Sequence, residues 1–221
     1  MPETISVALV DDQSLFRAGI RMLIDSQSDL EFAGEAENGH QGIELARTAR
    51  PDVILMDVRM PALDGIEATE RILAEADAAG RTPPRIIVLT TFELDEGAAR
   101  ALRIGASGFL LKDSQPEFLL AAIRSVHSGS AVIAPGATKT LLAQLGHSAV
   151  HRDPIEFAAL TDREKHIFRL AAAGLSNSEI AQKEYLSEAT VKTHVSRVLS
   201  KLGARDRVQL VIYAYEHGIA S

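Results

Sequence analysis

The first 128 residues alternate short apolar runs with stretches of helical periodicity. Five mostly apolar runs have the composition of strands: Ile5–Val10, Glu31–Ala36, Val53–Met56, Arg85–Leu89 and Ser107–Leu111. Each is followed by an amphipathic stretch: Ser14–Asp25, Gly39–Thr48, Gly65–Ala76, Leu94–Ile104 and Pro116–Val126. Strands that alternate with helices are joined by right-handed crossovers into a parallel sheet. The pattern predicts an α/β fold, a doubly wound (βα)5 domain with a five-stranded parallel sheet, over residues 1–128.

Residues 157–221 show helical periodicity alone. N-cap residues precede three amphipathic segments, and glycines follow two of them: Thr161, Ser176 and Ser187, then Gly174 and Gly203. A final helix is predicted from about Asp206 to His217, which makes a small all-α domain of helix-turn-helix size. Residues 129–156 are rich in Gly, Ser and Pro, and we expect a linker with one helix near residues 138–145.

Composition excludes several kinds of site. The 221-residue chain has no cysteine, so disulfides, zinc–thiolate sites, iron–sulfur clusters and cysteine nucleophiles are ruled out. No apolar run approaches the ~18 residues of a membrane span, and the N-terminus lacks a signal-peptide pattern. We therefore expect a cytoplasmic protein with no membrane partner.

Charge is distributed unequally between the two parts. The net charge is −7, but residues 1–128 hold 12 basic and 21 acidic side chains, whereas residues 129–221 hold 11 and 9. Such an asymmetry suggests that the two parts have different partners.

Polar side chains follow the predicted strands of the first part. Asp11 and Asp12 follow the first strand, Asp57 the third, Thr90 the fourth and Lys112 the fifth. Ligands of open α/β sheets bind at the carboxyl ends of strands, so these side chains are expected to converge. Carboxylates bind Mg²⁺, an aspartate can be a nucleophile toward phosphorus, and a lysine neutralises phosphoryl oxygens. Each residue taken singly is better explained as an ordinary turn or surface position, whereas all five together favour a site.

Four motifs give this part a resemblance to the receiver domain of two-component response regulators: VALVDDQ at 7–13, DVILMDVRMPALDG at 52–65, VLTT at 88–91 and GFLLKD at 108–113. The resemblance spans residues 5–127. It implies that Asp57 accepts a phosphoryl group from a sensor histidine kinase. It also implies a Mg²⁺ site formed by Asp11, Asp12, Asp57 and the backbone carbonyl of Arg59, with Thr90 and Lys112 binding the phosphoryl group.

Phe109 stands at the family's switch position on the fifth strand. Many relatives carry Tyr there, so a switch that depends on a tyrosine hydroxyl is unavailable to this chain. A rearrangement through packing remains open, and so does a plain core role for Phe109.

The second part contains a basic segment in an acidic protein. Residues 189–207 hold five Lys and Arg side chains against one acid, Asp206. Such a patch suits DNA phosphates, although charge alone equally fits a solvated face. On a helix, the valines and leucines of this segment form one stripe, with the polar residues mainly on the other side.

The motifs GLSNSEIA, TVKTHV and KLGARDR give residues 157–218 a resemblance to the LuxR-type helix-turn-helix. The resemblance implies double-stranded DNA as a partner, with Lys192, Thr193 and Ser196 reading base edges. It implies phosphate contacts or support of the helix for the remaining polar positions: Thr190, His194, Arg197 and Lys201. The final helix often forms the dimer contact in this family, here through Val208, Val211, Ile212 and Tyr215. Glu184 is an unusual negative charge near the turn.

Together the two parts resemble the NarL/FixJ class of response regulators. The first hypothesis is a transcription regulator in which phosphorylation of Asp57 promotes homodimerisation, release of the DNA-binding domain, or both, on operators with two half-sites. The second is a phosphohydrolase, but Arg59 stands two residues after Asp57, where a general acid would be required; we therefore expect no enzyme beyond slow autophosphorylation and autodephosphorylation. The third is a regulator that is independent of phosphorylation and is controlled by partner binding.

Overall fold

The computed structural model describes residues 4–91, 96–129, 132–133 and 155–219. These residues form two compact units, Met1–Thr138 and Lys139–Ser221. The predicted linker helix near residues 138–145 lies outside the described residues.

The first unit is a parallel sheet covered by helices. Its strands are β1 (Ile5–Val10), β2 (Leu30–Ala36), β3 (Val53–Asp57), β4 (Arg85–Thr90), β5 (Gly108–Leu111) and β6 (Val132–Ile133). Its helices are α1 (Ser14–Asp25), α2 (Gly39–Ala49), α3 (Gly65–Ala78), α4 (Glu96–Arg103) and α5 (Pro116–His127). The five predicted strands and helices are confirmed, and every predicted bound lies within two residues of the observed one.

The strand order is β2-β1-β3-β4-β5-β6, and all neighbouring strands are parallel. β3 is buried along its whole length, as expected for a central strand covered on both faces. The crossovers change direction between β1 and β3, so the loops after these strands diverge and leave a crevice. Asp11, Asp12 and Asp57 stand at this crevice.

One feature of the sheet was not predicted. Val132 and Ile133 pair in parallel with Gly108 and Phe109 of β5, although residues 129–156 were assigned to a linker. Among the described residues the sheet therefore has six strands and extends past residue 128. A two-residue strand carries too short a pattern to be read from sequence.

The second unit consists of helices in the residues described: α6 (Ile155–Ala158), α7 (Asp162–Ala172), α8 (Asn177–Glu184), α9 (Glu188–Leu202) and α10 (Arg207–Glu216). Thr161, Ser176 and Ser187 are the N-caps of α7, α8 and α9, as predicted, and Gly203 ends α9 with φ 65°. The single-turn helix α6 was not predicted. Its Phe157 packs edge-on against Phe168 of α7, with ring centroids 5.1 Å apart.

The core of this unit lies between α7, α8, α9 and α10. It includes Ile167, Phe168, Ile180, Val191 and Leu210, none of which exposes any surface. Among the described residues, every helix is too short or too polar to span a membrane.

Candidate acidic site and candidate nucleic-acid interface

Three carboxylates meet at the carboxyl edge of the sheet. One oxygen atom from each of Asp11, Asp12 and Asp57 lies within 4.8 Å of the other two. Asp11 and Asp57 are buried, with 0% and 4% of their surface exposed, while Asp12 is exposed. The predicted convergence of β1 and β3 side chains is therefore present in the structure.

Lys112 inserts its ammonium group between the two buried acids. Its Nζ donates a hydrogen bond of 2.8 Å to Oδ2 of Asp57 and lies 2.8 Å from Oδ2 of Asp11. Oδ2 of Asp11 is buried, and the Lys112 ammonium is its ion-pair partner. The Lys112 ammonium also lies 5.1 Å from the centre of the Phe16 ring.

The charges in this site influence one another. Burial raises the pKa of Asp57, and the nearby Asp11 charge adds to this effect, while the Lys112 ammonium and the Arg59 amide oppose it. Burial alone would lower the pKa of Lys112, but its contacts with Asp11 and Asp57 outweigh burial and raise that pKa. The lysine therefore remains cationic, and one positive charge serves two buried carboxylates.

The backbone around Asp11 fixes this side chain. Its Oδ1 accepts a 2.9 Å hydrogen bond from the amide of Gln13, and its own amide donates to the carbonyl of Ala36 at 3.0 Å. Arg17 donates from Nη1 to the Asp11 carbonyl at 2.8 Å and from Nε to Glu35 at 3.1 Å. Sequence reasoning did not identify this role of Arg17, which depends on a contact between α1 and β2.

Gly65 shapes the loop that carries Asp57. A Cβ atom on Gly65 would lie 1.8 Å from the carbonyl oxygen of Asp57, and the Gly65 amide donates to the carbonyl of Val58 at 2.9 Å. The start of α3 thus packs directly on the backbone beside Asp57, which no larger residue would permit. The motif at 52–65 ends on this glycine, but spacing alone did not reveal the contact.

The donor set fits a hard divalent cation. Asp11 and Asp57 contribute buried carboxylates, and Asp12 contributes an exposed one. Such oxygen ligands suit Mg²⁺. The carboxylates of Asp11, Asp12 and Asp57 are the groups of this cluster that would hold the ion.

Thr90 and Phe109 lie on the neighbouring strands. Thr90 ends β4 with 5% of its surface exposed, and its carbonyl accepts a 2.8 Å hydrogen bond from the Lys112 amide. Phe109 is fully buried on β5, opposite Val88 of β4. Asp57 of β3 pairs with Leu89 of β4. The end of β4, and β5 next to it, therefore lie beside Asp57 in the sheet.

Helix α9 presents a polar face to solvent. Val191, Val195 and Val198 are buried in the helical core. Six of the seven residues predicted to contact DNA are exposed and His194 is half-buried; the six are Thr190, Lys192, Thr193, Ser196, Arg197 and Lys201. The apolar stripe and the polar face therefore separate as the periodicity predicted.

Several of these side chains have protein partners. The Thr193 hydroxyl donates to the carbonyl of Ala189 at 2.9 Å, and the Thr190 hydroxyl lies 2.8 Å from that of Ser187. Lys201 donates to Glu164 at 2.7 Å, which joins the end of α9 to the N-terminal cap of α7. The role predicted for Lys201 at the DNA interface stays a prediction.

The acid near the turn is neutralised. Oε2 of Glu184 accepts a 2.7 Å hydrogen bond from Arg163, and its Oε1 lies 2.8 Å from Nε2 of His166. These contacts, led by the one with His166, lower the pKa of Glu184. Arg207, in the KLGARDR motif, points inward and donates to the carbonyls of Ala171 and Leu175, so it ties α10 to the end of α7.

The four residues predicted for dimer contact differ in exposure. Ile212 is buried with 4% of its surface exposed, and Val211 is partly exposed. The side chains of Val208 and Tyr215 lie outside the described set. Of the two predicted residues whose side chains are described, Val211 is the one with exposed surface.

Comparison with known proteins identifies both units. Residues 7–124 match the response regulator receiver domain, and residues 158–214 match the luxR family of bacterial regulatory proteins. The chain is a two-component response regulator with a LuxR-type DNA-binding domain. The class suggested by the sequence motifs is confirmed.

Relatives of this response regulator match it along nearly its whole length. It is 42% identical to the uncharacterized transcriptional regulatory protein YxjL of Bacillus subtilis strain 168, over 98% of each chain. It is 37% identical to the nitrate/nitrite response regulator NarL of Escherichia coli K12, also over 98% of each. The crystal structure of ChrA, a response regulator of a heme-sensing two-component system, is 33% identical, covers 98% of each chain and gives a TM-score of 0.52.

Proposed function

We propose that phosphoryl transfer to Asp57 controls the binding of α9 to DNA. The observation that carries this proposal is the arrangement of two buried carboxylates around one ammonium: Asp11 and Asp57 share Lys112 at 2.8 Å each. Modification of Asp57 changes the charge that this lysine must neutralise. A buried site whose charge balance depends on one side chain is suited to a switch.

The reaction uses the Asp57 carboxylate as a nucleophile toward phosphorus. A bond forms between a carboxylate oxygen of Asp57 and the phosphorus atom, while the bond from phosphorus to the kinase histidine breaks and the imidazole leaves. Mg²⁺ at Asp11, Asp12, Asp57 and the Arg59 carbonyl would offset the negative charge of the phosphoryl oxygens. A small phosphodonor can replace the kinase, and hydrolysis of the acyl phosphate reverses the switch slowly, since Arg59 offers no general acid.

The rearrangement follows from the charges. Phosphorylated Asp57 no longer offers Lys112 a free carboxylate, so the ammonium turns to one phosphoryl oxygen and the Thr90 hydroxyl donates to another. Phe109 lies fully buried on the adjacent strand and has no polar atom, so it transmits the change through packing alone. The output is homodimerisation, release of the DNA-binding unit, or both.

The DNA-binding unit then occupies the major groove with α9. Lys192, Thr193 and Ser196 meet base edges, while Thr190, His194, Arg197 and Lys201 serve the phosphate backbone and the stability of the helix. A dimer through α10 places two copies of α9 on half-sites about one helical turn apart.

The site assignment is tested by phosphoryl labelling from a small phosphodonor with Mg²⁺. Wild type is expected to take up label on Asp57, and Asp57→Asn to take up none, because an amide is not a nucleophile here. Asp25→Asn, which changes an exposed acid on α1, is the matched control and should label as wild type does. Label on the Asp57→Asn variant would contradict the assignment of Asp57.

The alternative is a regulator controlled by partner binding without phosphorylation. Its prediction differs at the same step, because Asp57 would then remain unlabelled in wild type. The complete cluster of carboxylates and lysine at this edge favours the phosphorylation switch.

A further inference from the structure

Tyr185 stands in the turn between α8 and α9 with 97% of its surface exposed. Among the side chains described in the second unit, it is the one large apolar residue with such exposure. Burial of this ring therefore contributes nothing to the stability of the helical domain. The next residue, Leu186, instead packs against the core.

The backbone at Tyr185 is also unfavourable for a tyrosine. Its φ and ψ are 54° and 42°, the left-handed conformation in which a helix C-cap is usually glycine. Its amide still donates to the carbonyl of Ala181, as any residue at this position would. Glycine would adopt this left-handed conformation at a lower energetic cost. The stability of the fold therefore does not explain why a tyrosine stands here.

The position of Tyr185 relates it to the DNA-facing helix. It lies two residues before Ser187, the N-cap of α9, and two residues of chain span at most ~7 Å. In helix-turn-helix proteins the N-terminal part of this helix enters the major groove, and the phosphates on each side of the groove pass close to that end. A phenol offers a hydroxyl donor for a phosphate oxygen and a flat ring for the deoxyribose.

The local charge permits a phosphate to approach. Glu184, the acid adjacent to Tyr185, is held by Arg163 and His166. Lys183 on the other side of Glu184 is exposed. Glu188 is the one exposed acid in the first turn of α9, where it is also placed to interact with the helix dipole.

We propose that Tyr185 binds the DNA backbone at the edge of the groove that α9 enters, with its hydroxyl on a phosphate oxygen and its ring against the sugar. The inference rests on the proposed DNA-binding function and adds an uncharged anchor to it. Because the donor is neutral, this contact displaces no counterion and does not read sequence.

The test measures DNA affinity of the full chain, treated with acetyl phosphate and Mg²⁺, across a salt series. The probes are a duplex selected by the wild-type protein from a random-sequence pool and a scrambled duplex of equal length. Tyr185→Phe removes the hydroxyl alone. Tyr185→Gly removes the ring as well and relieves the left-handed strain, so the domain should unfold at the same or a higher denaturant concentration. Arg50→Gly, at a left-handed C-cap of the first unit with φ 49°, is the matched control.

We expect Tyr185→Phe to bind about three- to tenfold more weakly, the loss of one hydrogen bond, and Tyr185→Gly to lose at least as much. For each tyrosine variant, the factor by which DNA affinity falls should be the same for the two duplexes and at every salt concentration. Arg197→Ala, which removes a charge, should instead lower the slope of log K against log salt by about one. Arg50→Gly should bind as wild type does.

Wild-type affinity in both tyrosine variants would overturn the inference while leaving DNA binding intact. So would wild-type affinity combined with loss of reporter expression in cells, which would assign Tyr185 to a protein partner. Failure of the wild-type protein to select any duplex would contradict the proposed function together with this inference.

Discussion

At the scale of single residues, Lys112 determines the electrostatics of the acidic site. Two carboxylates that are almost completely buried would repel each other, and one lysine ammonium 2.8 Å from each offsets that repulsion. The sequence placed these residues at strand ends, but it did not show that one lysine contacts both buried acids.

Gly65 illustrates a steric requirement at the same scale. Gly65→Ala would place a methyl group 1.8 Å from the carbonyl oxygen of Asp57, so the loop must move. We expect the first unit to lose about 1–3 kcal/mol of unfolding free energy, the usual cost of overpacking. Circular dichroism during urea unfolding measures this loss. All three tyrosines lie in the second unit, so the transition followed by tyrosine fluorescence should not change.

Gly19→Ala is the matched control for that experiment. Gly19 lies inside α1, and a Cβ there would meet no atom within 4 Å. Because glycine is a poor helix former, this control should gain about 0.5–1 kcal/mol. An unchanged stability of Gly65→Ala would contradict the contact between α3 and the Asp57 backbone.

At the scale of elements, α7 and α8 begin with the same capping arrangement but differ in their neighbours. Glu164 of α7 accepts hydrogen bonds from the Thr161 amide at 2.8 Å and from Lys201 of α9 at 2.7 Å. The Lys201 bond is the main reason that the pKa of Glu164 is lowered to about 2. Glu179 of α8 accepts hydrogen bonds from the Ser176 amide at 2.7 Å and hydroxyl at 2.8 Å, but no lysine among the described residues donates to it.

Glu164→Gln is therefore expected to cost more than Glu179→Gln. We predict losses of about 1–2 kcal/mol for Glu164→Gln and about 0.5 kcal/mol for Glu179→Gln, both by tyrosine fluorescence during urea unfolding at pH 7. Equal losses would contradict the coupling of α9 to α7 through Lys201.

The pH dependence has a defined sign. The pKa of Glu164 is below its unfolded value of 4.5, so its stabilising effect is complete above pH 4.5 and disappears as the pH falls toward 2. The difference in stability between wild type and Glu164→Gln should shrink over that window. A difference that stayed constant from pH 6 to pH 3 would contradict the ionised cap.

Helix α9 yields a prediction about specificity. Lys192→Ala should weaken binding to a selected duplex more than binding to a scrambled one, since a base-edge contact is lost. Arg197→Ala should weaken both duplexes by the same factor, because a phosphate contact carries no sequence information. Filter binding on the two duplexes separates these cases. If both variants lost affinity by the same factor for both duplexes, Lys192 would not be a residue that reads base edges.

Elements with strong periodicity could be predicted from the sequence, and short or long-range features could not. The predicted bounds of α1 agree with the structure, because twelve residues of amphipathic pattern define it. β6 and α6 could not be predicted, because segments of two and four residues are too short to show a periodic pattern. The partners of Lys201 and Arg207 were missed because they lie more than 30 residues away along the chain.

At the scale of the whole molecule, the chain combines an acidic unit that holds the phosphorylation site with a unit that carries a basic helix. Residues 1–128 contain nine more acidic than basic side chains, and residues 129–221 contain two more basic than acidic. The net charge of −7 is therefore a sum over two unequal parts, and it does not reveal the basic helix of the DNA-binding unit. Each unit has its own core, so variants in one should leave the folding of the other intact.

The most direct test of the proposed switch is the affinity of the full chain for its selected duplex with and without acetyl phosphate and Mg²⁺, for wild type and Asp57→Asn. We predict that the donor tightens binding and drives dimerisation in wild type alone. Equal affinity in both proteins, unaffected by the donor, would contradict the proposal that phosphorylation of Asp57 controls DNA binding.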